Sequence, residues 1–186
     1  TEGNFNSETG LPLSVFKIRK EHEVGVFEMG MNRQDEIGEI SKVLKPEYAI
    51  ITNIGSAHIG MLGSRDNIAI EKKKAFTYVS KTGAVFIPAE DEYCNFLQKD
   101  VLGKVVLFGE NVPSEISHVK YLEDCGLSGS VFCLDGIQIN LKIPGIYNYR
   151  NALASIALAK ELDLTAEEIK AGIENLSGLN SRMEAI

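Results

Sequence analysis

The chain has 186 residues, 44% of them hydrophobic, and a formal charge of −7. That apolar content suffices for one sizeable core, while the acidic balance argues against a general nucleic-acid binder, whose surface would be basic. No apolar run approaches the ~18 residues of a membrane span, and residues 1–10 show no leader pattern. The three cysteines, Cys94, Cys125 and Cys133, lack zinc-ligand spacing, and together these features predict a soluble, cytoplasmic protein with idle thiols.

In chain order, VGVFEMG (24–30) and YAIITNIG (48–55) are apolar, partly β-branched runs ending in glycine. Such runs suit central strands of a parallel sheet. Between them, RQDEIGEISKVLK sets Ile37, Ile40 and Leu44 at helical spacing, with Pro46 as the stop. RDNIAIEKKKAFTYVS (65–80) reads as the next helix, with Asp66 as N-cap and Ile68, Ala75, Phe76 and Val79 facing the core. GAVFIPAED and KVVLFG (104–109) predict two further strands around a short helix, DEYCNFLQ.

After about residue 112 the pattern changes. HVKYLEDCG, SGSVFCLDG and IQINLKIPG are short runs with partial alternation, and Asp135-Gly136 marks a tight turn between the last two. This predicts antiparallel hairpins outside the parallel sheet. NYRNALASIALAKEL and TAEEIKAGIENL then read as closing helices, the second opened by a Thr165–Glu168 capping box. The expected fold is an α/β domain, a mostly parallel sheet flanked by helices, with an antiparallel β appendage over residues 112–144.

In open parallel sheets, ligands sit beyond the carboxyl ends of strands. Glu28 ends the first predicted strand, and Asn53 and His58 follow the second. Each has an ordinary reading, a strand-end carboxylate capping a loop or a hydrogen-bonded loop histidine, beside the reading in which they converge. The run Lys72, Lys73, Lys74 is most simply a solvated face. Lys72, however, lies four residues after Ile68 and so shares the core-facing side, leaving Lys73 and Lys74 towards water. Asn148 and Asn151 open a helix of small residues, as an N-cap with packing behind it or as amides reading a nucleobase edge. No GxxxxGK[ST], HExxH, GxSxG or paired CxxC occurs, so a phosphate cradle is missing from these residues.

The motifs TEGNFNSETGLPLSV, FEMGMNRQDEIGEI, PEYAIITNIGSAHIGMLGSRDNIAIEKKKAF, FGE, PGIYNYRNALASIALA and SRMEAI together resemble the central domain of the Mur ligases. The resemblance covers nearly all of residues 1–186. It implies an ATP-dependent amide ligase of peptidoglycan synthesis that works through an acyl phosphate, with ATP and Mg2+ as cofactors. The TEGNFN stretch points to the branch whose substrates are UDP-N-acetylmuramoyl-tripeptide and D-Ala-D-Ala. By motif position, Glu28 and His58 match magnesium ligands, and Lys72 matches a lysine that the family carbamylates. Asn148 and Asn151 match a stretch beside the adenine, Arg182 an arginine near the phosphates, and Asn4 and Asn6 the muramyl-peptide side of the cleft. Ser7 and Ser181 stand where the family usually has Asn and Gly. The resemblance further implies a fragment lacking the phosphate loop and the N- and C-terminal domains, inactive by itself.

Overall fold

The structure, a computed structural model, describes residues 5–110, 112 and 119–176. Two compact units divide the chain, Thr1–Ile87 with Asp91–Val105 and Pro88–Glu90 with Val106–Ile186. In chain order the first parts are α1 (Gly10–Val15), α2 (Glu36–Leu44), β1 (Tyr48–Ile50), α3 (Ile59–Leu62), α4 (Arg65–Lys73), β2 (Ala84–Pro88), α5 (Cys94–Leu97) and β3 (Lys104–Phe108). One sheet has the order β1-β2-β3, with β1 and β2 parallel, Tyr48 opposite Ala84 and Ile50 opposite Phe86. Every residue of β2 is buried, as its unbroken apolar run requires of a central strand. Ile37 and Ile40 of α2 and Ile68 and Ala69 of α4 add their buried faces to the core.

Two expectations for this unit need correction. Residues 24–30 form no strand: the sequence has the right composition, but Val24 and Val26 are 68% and 76% exposed. Composition alone does not make a strand when no neighbour supplies a ladder among the described residues. The helix expected over 65–80 ends at Lys73 and passes into a 3₁₀ turn, Lys74–Phe76. Its N-cap is Ser64 and not Asp66, because the extended Ser64 backbone lets its hydroxyl accept the Asn67 N–H at 3.1 Å. The Asp66 carboxylate instead accepts the Tyr93 hydroxyl at 2.7 Å.

The second unit holds β4 (Val119–Asp124), β5 (Ser130–Leu134), β6 (Ile137–Leu141), α6 (Ile146–Glu161) and α7 (Ala166–Glu174). The three strands form a separate antiparallel sheet in the order β4-β5-β6. Asp135 and Gly136, both at positive φ (50° and 85°), make the two-residue turn, the geometry that matches strand twist. Phe132, Leu134, Ile139 and Leu141 alternate inward and are buried. Tyr149 of α6 packs edge-on to Tyr121 at 4.7 Å and beside Phe132 at 5.3 Å. The capping box at Thr165 and Glu168 is formed in full, and α7 is pinned to β6 through Glu174, which accepts both the backbone and side-chain N–H of Asn140 at 2.9 Å.

Candidate functional site

Helix α4 aims Lys72 as its spacing from Ile68 dictates. Lys72 is partly buried, and its Nζ donates to the Asn53 carbonyl at 2.7 Å, in the loop after β1. Burial pushes the Lys72 ammonium below the ordinary lysine value, opposed by the nearby Asp91 carboxylate. Lys73 and Lys74 are half-buried and bonded, contrary to the expectation of a freely solvated pair. Lys73 Nζ donates to the Phe96 carbonyl at 2.9 Å and lies over the Phe96 ring. Lys74 Nζ donates to Asp35 and Glu71 carboxylates at 2.5 and 2.6 Å. The reason is the end of α4: the tighter 3₁₀ turn rotates Lys74 away from the solvent face, and long stems let both amines reach acceptors over apolar surface.

Glu28 is exposed, and its Oε1 accepts the Asn6 side-chain N–H at 3.1 Å. The Asn6 carbonyl also accepts the Gly30 N–H at 2.7 Å. A Cβ on Gly30 would stand 2.9 Å from the Asn6 side chain, so glycine is what allows the two segments to run so close. Two residues assigned separate tasks by motif position, Asn6 and Glu28, are thus hydrogen-bonded partners. His58 is exposed and occupies the left-handed region at φ 68° as the residue before α3. That region is uncommon for residues other than glycine, with asparagine, aspartate and histidine its more frequent occupants.

In the second unit, Asn148 lies inside α6 and its side-chain N–H donates to the Pro144 carbonyl at 2.8 Å, while Gly145 is the N-cap. The amide serves a loop carbonyl and not the helix N-terminus. Asn151, one turn on, is exposed. Asn4 and Arg182 lie outside the described residues.

Three residues that sequence reasoning passed over organise the first unit. Glu71, 1% exposed, accepts the N–H groups of Asp35 and Ile37 at 2.9 Å each, besides the Lys74 amine. Asp91 accepts the Ile54 N–H at 2.8 Å, and Arg65 donates to the Ile54 carbonyl at 2.8 Å. Asp91 follows the β2 run, so the strand-end rule that nominated Glu28 nominates it too. Glu71 has only one sequence signal, its place directly before the lysine run.

The three residues expected as magnesium ligands differ in their chemical suitability. Glu28 offers carboxylate oxygens and His58 an imidazole nitrogen, while an ammonium at Lys72 has three donors and no lone pair. Among the described residues no group of three or more His, Cys, Asp or Glu could hold a metal. A carbamate on Lys72 would add the oxygens and charge that magnesium prefers.

The pattern of the Mur ligase middle domain matches residues 1–159. The UDP-N-acetylmuramoyl-tripeptide--D-alanyl-D-alanine ligase of Treponema pallidum is 45% identical over 179 residues, covering 95% of this chain and 38% of that protein. A crystal structure of MurF from Acinetobacter baumannii superposes with a TM-score of 0.89 at 30% identity, covering 100% of this chain and 41% of that one. MurF ligase from Thermotoga maritima, solved in complex with ADP, superposes with a TM-score of 0.75 at 25% identity, covering 96% and 42%. The chain therefore spans about two fifths of the length of these relatives.

Proposed function

Because the chain belongs to the Mur ligase family, as a middle domain, we infer that it is the nucleotide-handling part of a ligase that joins D-Ala-D-Ala to UDP-N-acetylmuramoyl-tripeptide, with ATP and Mg2+, in the cytoplasm. The reaction activates the tripeptide's terminal carboxylate as an acyl phosphate, which the dipeptide amine attacks with loss of phosphate. Catalysis of this kind is mostly positioning and electrostatic stabilisation.

The observation that carries the reading is Lys72, partly buried, with its amine docked on the Asn53 carbonyl and its ammonium form disfavoured by burial. The neutral amine attacks carbon dioxide, an N–C bond forms, and the nitrogen gives up a proton to solvent. Glu28, His58 and the Lys72 carbamate would then hold magnesium, which supplies charge neutralisation at the transferring phosphoryl group. Asn6 orients the Glu28 carboxylate by its 3.1 Å bond and, with Asn4, is assigned by motif position to the peptide side. By motif position, Asn148 and Asn151 are assigned to the adenine and Arg182 to the phosphates. Residues 1–186 form the central domain, residues 112–144 its antiparallel appendage, and the N- and C-terminal domains of the intact ligase its partners. Alone, these residues neither hydrolyse ATP nor bind it tightly, because they contain no GxxxxGK[ST] loop, whose backbone N–H groups supply most of the phosphate affinity.

The test is carbon-13 NMR of the full-length ligase in labelled bicarbonate, beside a ligation assay with both substrates. A carbamate signal that vanishes in Lys72→Ala, with turnover lost, supports the reading. Its absence from an active wild-type enzyme overturns the carbamate, and no ligation of D-Ala-D-Ala overturns the substrate assignment.

A further inference from the structure

Ile54 is 2% exposed and lies past the last ladder bond of its strand, the Ile51 N–H to the Phe86 carbonyl. Buried peptide groups without partners are costly, yet both of its backbone groups are bonded, each by a side chain. Asp91 Oδ2 accepts the N–H and Arg65 Nη2 donates to the carbonyl, both at 2.8 Å. One residue earlier, the Asn53 carbonyl accepts the Lys72 amine at 2.7 Å. Three side chains from distant segments thus hold two consecutive peptide units.

The two clamp residues are themselves fixed. Asp91 Oδ1 accepts the Tyr93 N–H at 2.9 Å, and the Asp91 carbonyl accepts the Cys94 N–H at 2.9 Å. Arg65 is ion-paired with Glu92 and lies 5.5 Å from the Tyr93 ring centre. The Tyr93 hydroxyl closes the circle on Asp66 at 2.7 Å. Residues 65–66 and 91–93 therefore grip Ile54 from its two polar sides.

We propose that Asp91 is a positioning residue for the Lys72 site: through the Ile54 N–H it fixes the Asn53 carbonyl on which the Lys72 amine docks and the loop that continues to His58. This rests on the reading of Lys72 and His58 given above. The carboxylate also acts on Lys72 through space, so the two effects must be separated. Asp91→Asn removes the charge but keeps an oxygen for the Ile54 N–H; Asp91→Ala removes both.

The experiment uses the full-length ligase, measuring kcat, KM for ATP and hydrogen exchange at the Ile54 amide. Asp91→Ala is expected to lower kcat by about 10- to 100-fold, the scale of a misplaced reacting group, with KM for ATP little changed and the Ile54 amide exchanging fast. Asp91→Asn is expected to recover most of the turnover and the slow exchange. Wild-type turnover in Asp91→Ala, or an Asn variant as damaged as the Ala variant while Ile54 stays protected, overturns positioning. Should Asp91→Ala not fold, Arg65→Met frees the other polar group of Ile54, the carbonyl of the next peptide unit, and an unchanged kcat there overturns the proposal equally. Lys72→Ala is run alongside: full turnover in it would bring down the reading of the site, a failure distinct from that of Asp91.

Discussion

The two units satisfy their backbones in opposite ways. In the antiparallel unit, peptide groups bond mainly to peptide groups: β5 pairs with β4 on one side and β6 on the other, and the β5–β6 turn is a local device of two residues. In the parallel unit, the loops at the strand and helix ends are bonded by side chains far away in sequence. Glu71 caps Asp35 and Ile37, separated from it by 36 and 34 positions, and Asp91 holds Ile54 across 37. A ladder gives stability that tolerates side-chain change. A clamp built from charged side chains makes the geometry of a loop depend on a few residues, which suits a site that must hold reacting groups in place. The candidate residues Glu28, His58 and Lys72 all lie in the clamped unit.

The largest effect expected from this contrast is functional. Lys72→Ala in the full-length ligase should lower turnover on the order of 10²–10³-fold, while thermal melting changes little, since a partly buried lysine with one carbonyl partner contributes modestly to folding. Matched kinetics and melts decide it; a variant that loses stability in proportion to activity would make Lys72 a structural residue and erase the difference between the units.

Next is Glu71. It is a buried carboxylate with three donors, and removing one partner of such an arrangement costs roughly 3–5 kcal/mol. Glu71→Ala should therefore destabilise the parallel unit by about that amount, with accelerated hydrogen exchange at Asp35 and Ile37 while the β5–β6 amides stay protected. Equal loss of protection in both units would mean that the clamp supports the whole chain and not one part of it.

This division also explains what was legible in the sequence. The β5–β6 hairpin, its Asp135-Gly136 turn and the Thr165–Glu168 box are encoded within a few residues, so periodicity and turn chemistry reveal them. Lys72 was legible because helical spacing from Ile68 is local as well. The roles of Glu71, Arg65 and Asp91 were not, because each acts on a peptide group brought near only by the tertiary fold. Residues 24–30 show the converse: their apolar pattern reads as a strand, but pairing is a property of neighbours. Lys73 and Lys74 read as solvated because a charge run carries no record of the carbonyl or carboxylates waiting for it. Glu28 and His58 were nominated by the strand-end rule and given their ligand roles by motif resemblance, and no spacing rule would have joined Glu28 to Asn6.

A smaller effect probes the ladder-held unit at its weak point. The Tyr149 hydroxyl is buried without a hydrogen-bond partner among the described residues, and burial pushes its ionisation well above the usual phenol range. Tyr149→Phe keeps the ring contacts with Tyr121 and Phe132 and deletes an unsatisfied group. Stability should be unchanged or higher by up to about 1 kcal/mol. A loss of stability in urea unfolding would reveal a partner for the hydroxyl and add one more side-chain contact to the bonds that Glu174 accepts from Asn140.

The smallest effect lies at the start of α7, where the antiparallel unit adds a local side-chain device to the long-range bonds between Glu174 and Asn140. Thr165 Oγ1 accepts the Glu168 N–H at 3.2 Å, and the Glu168 carboxylate accepts the Thr165 N–H at 2.8 Å. Thr165→Ala should cost about 1 kcal/mol, the usual worth of an N-cap. The Thr165 backbone N–H, with its hydroxyl, holds the Glu168 carboxyl below its ordinary value of 4.5. A group whose folded value is lowered stabilises above its unfolded value and loses that contribution as pH falls through the folded one. The stability gap between wild type and Glu168→Gln should thus be present at neutral pH and close as pH drops below 4.5. Urea melts across that range measure the gap, and one that persists in acid would show that the box is held by packing of α7 on β6 and not by the charge on Glu168.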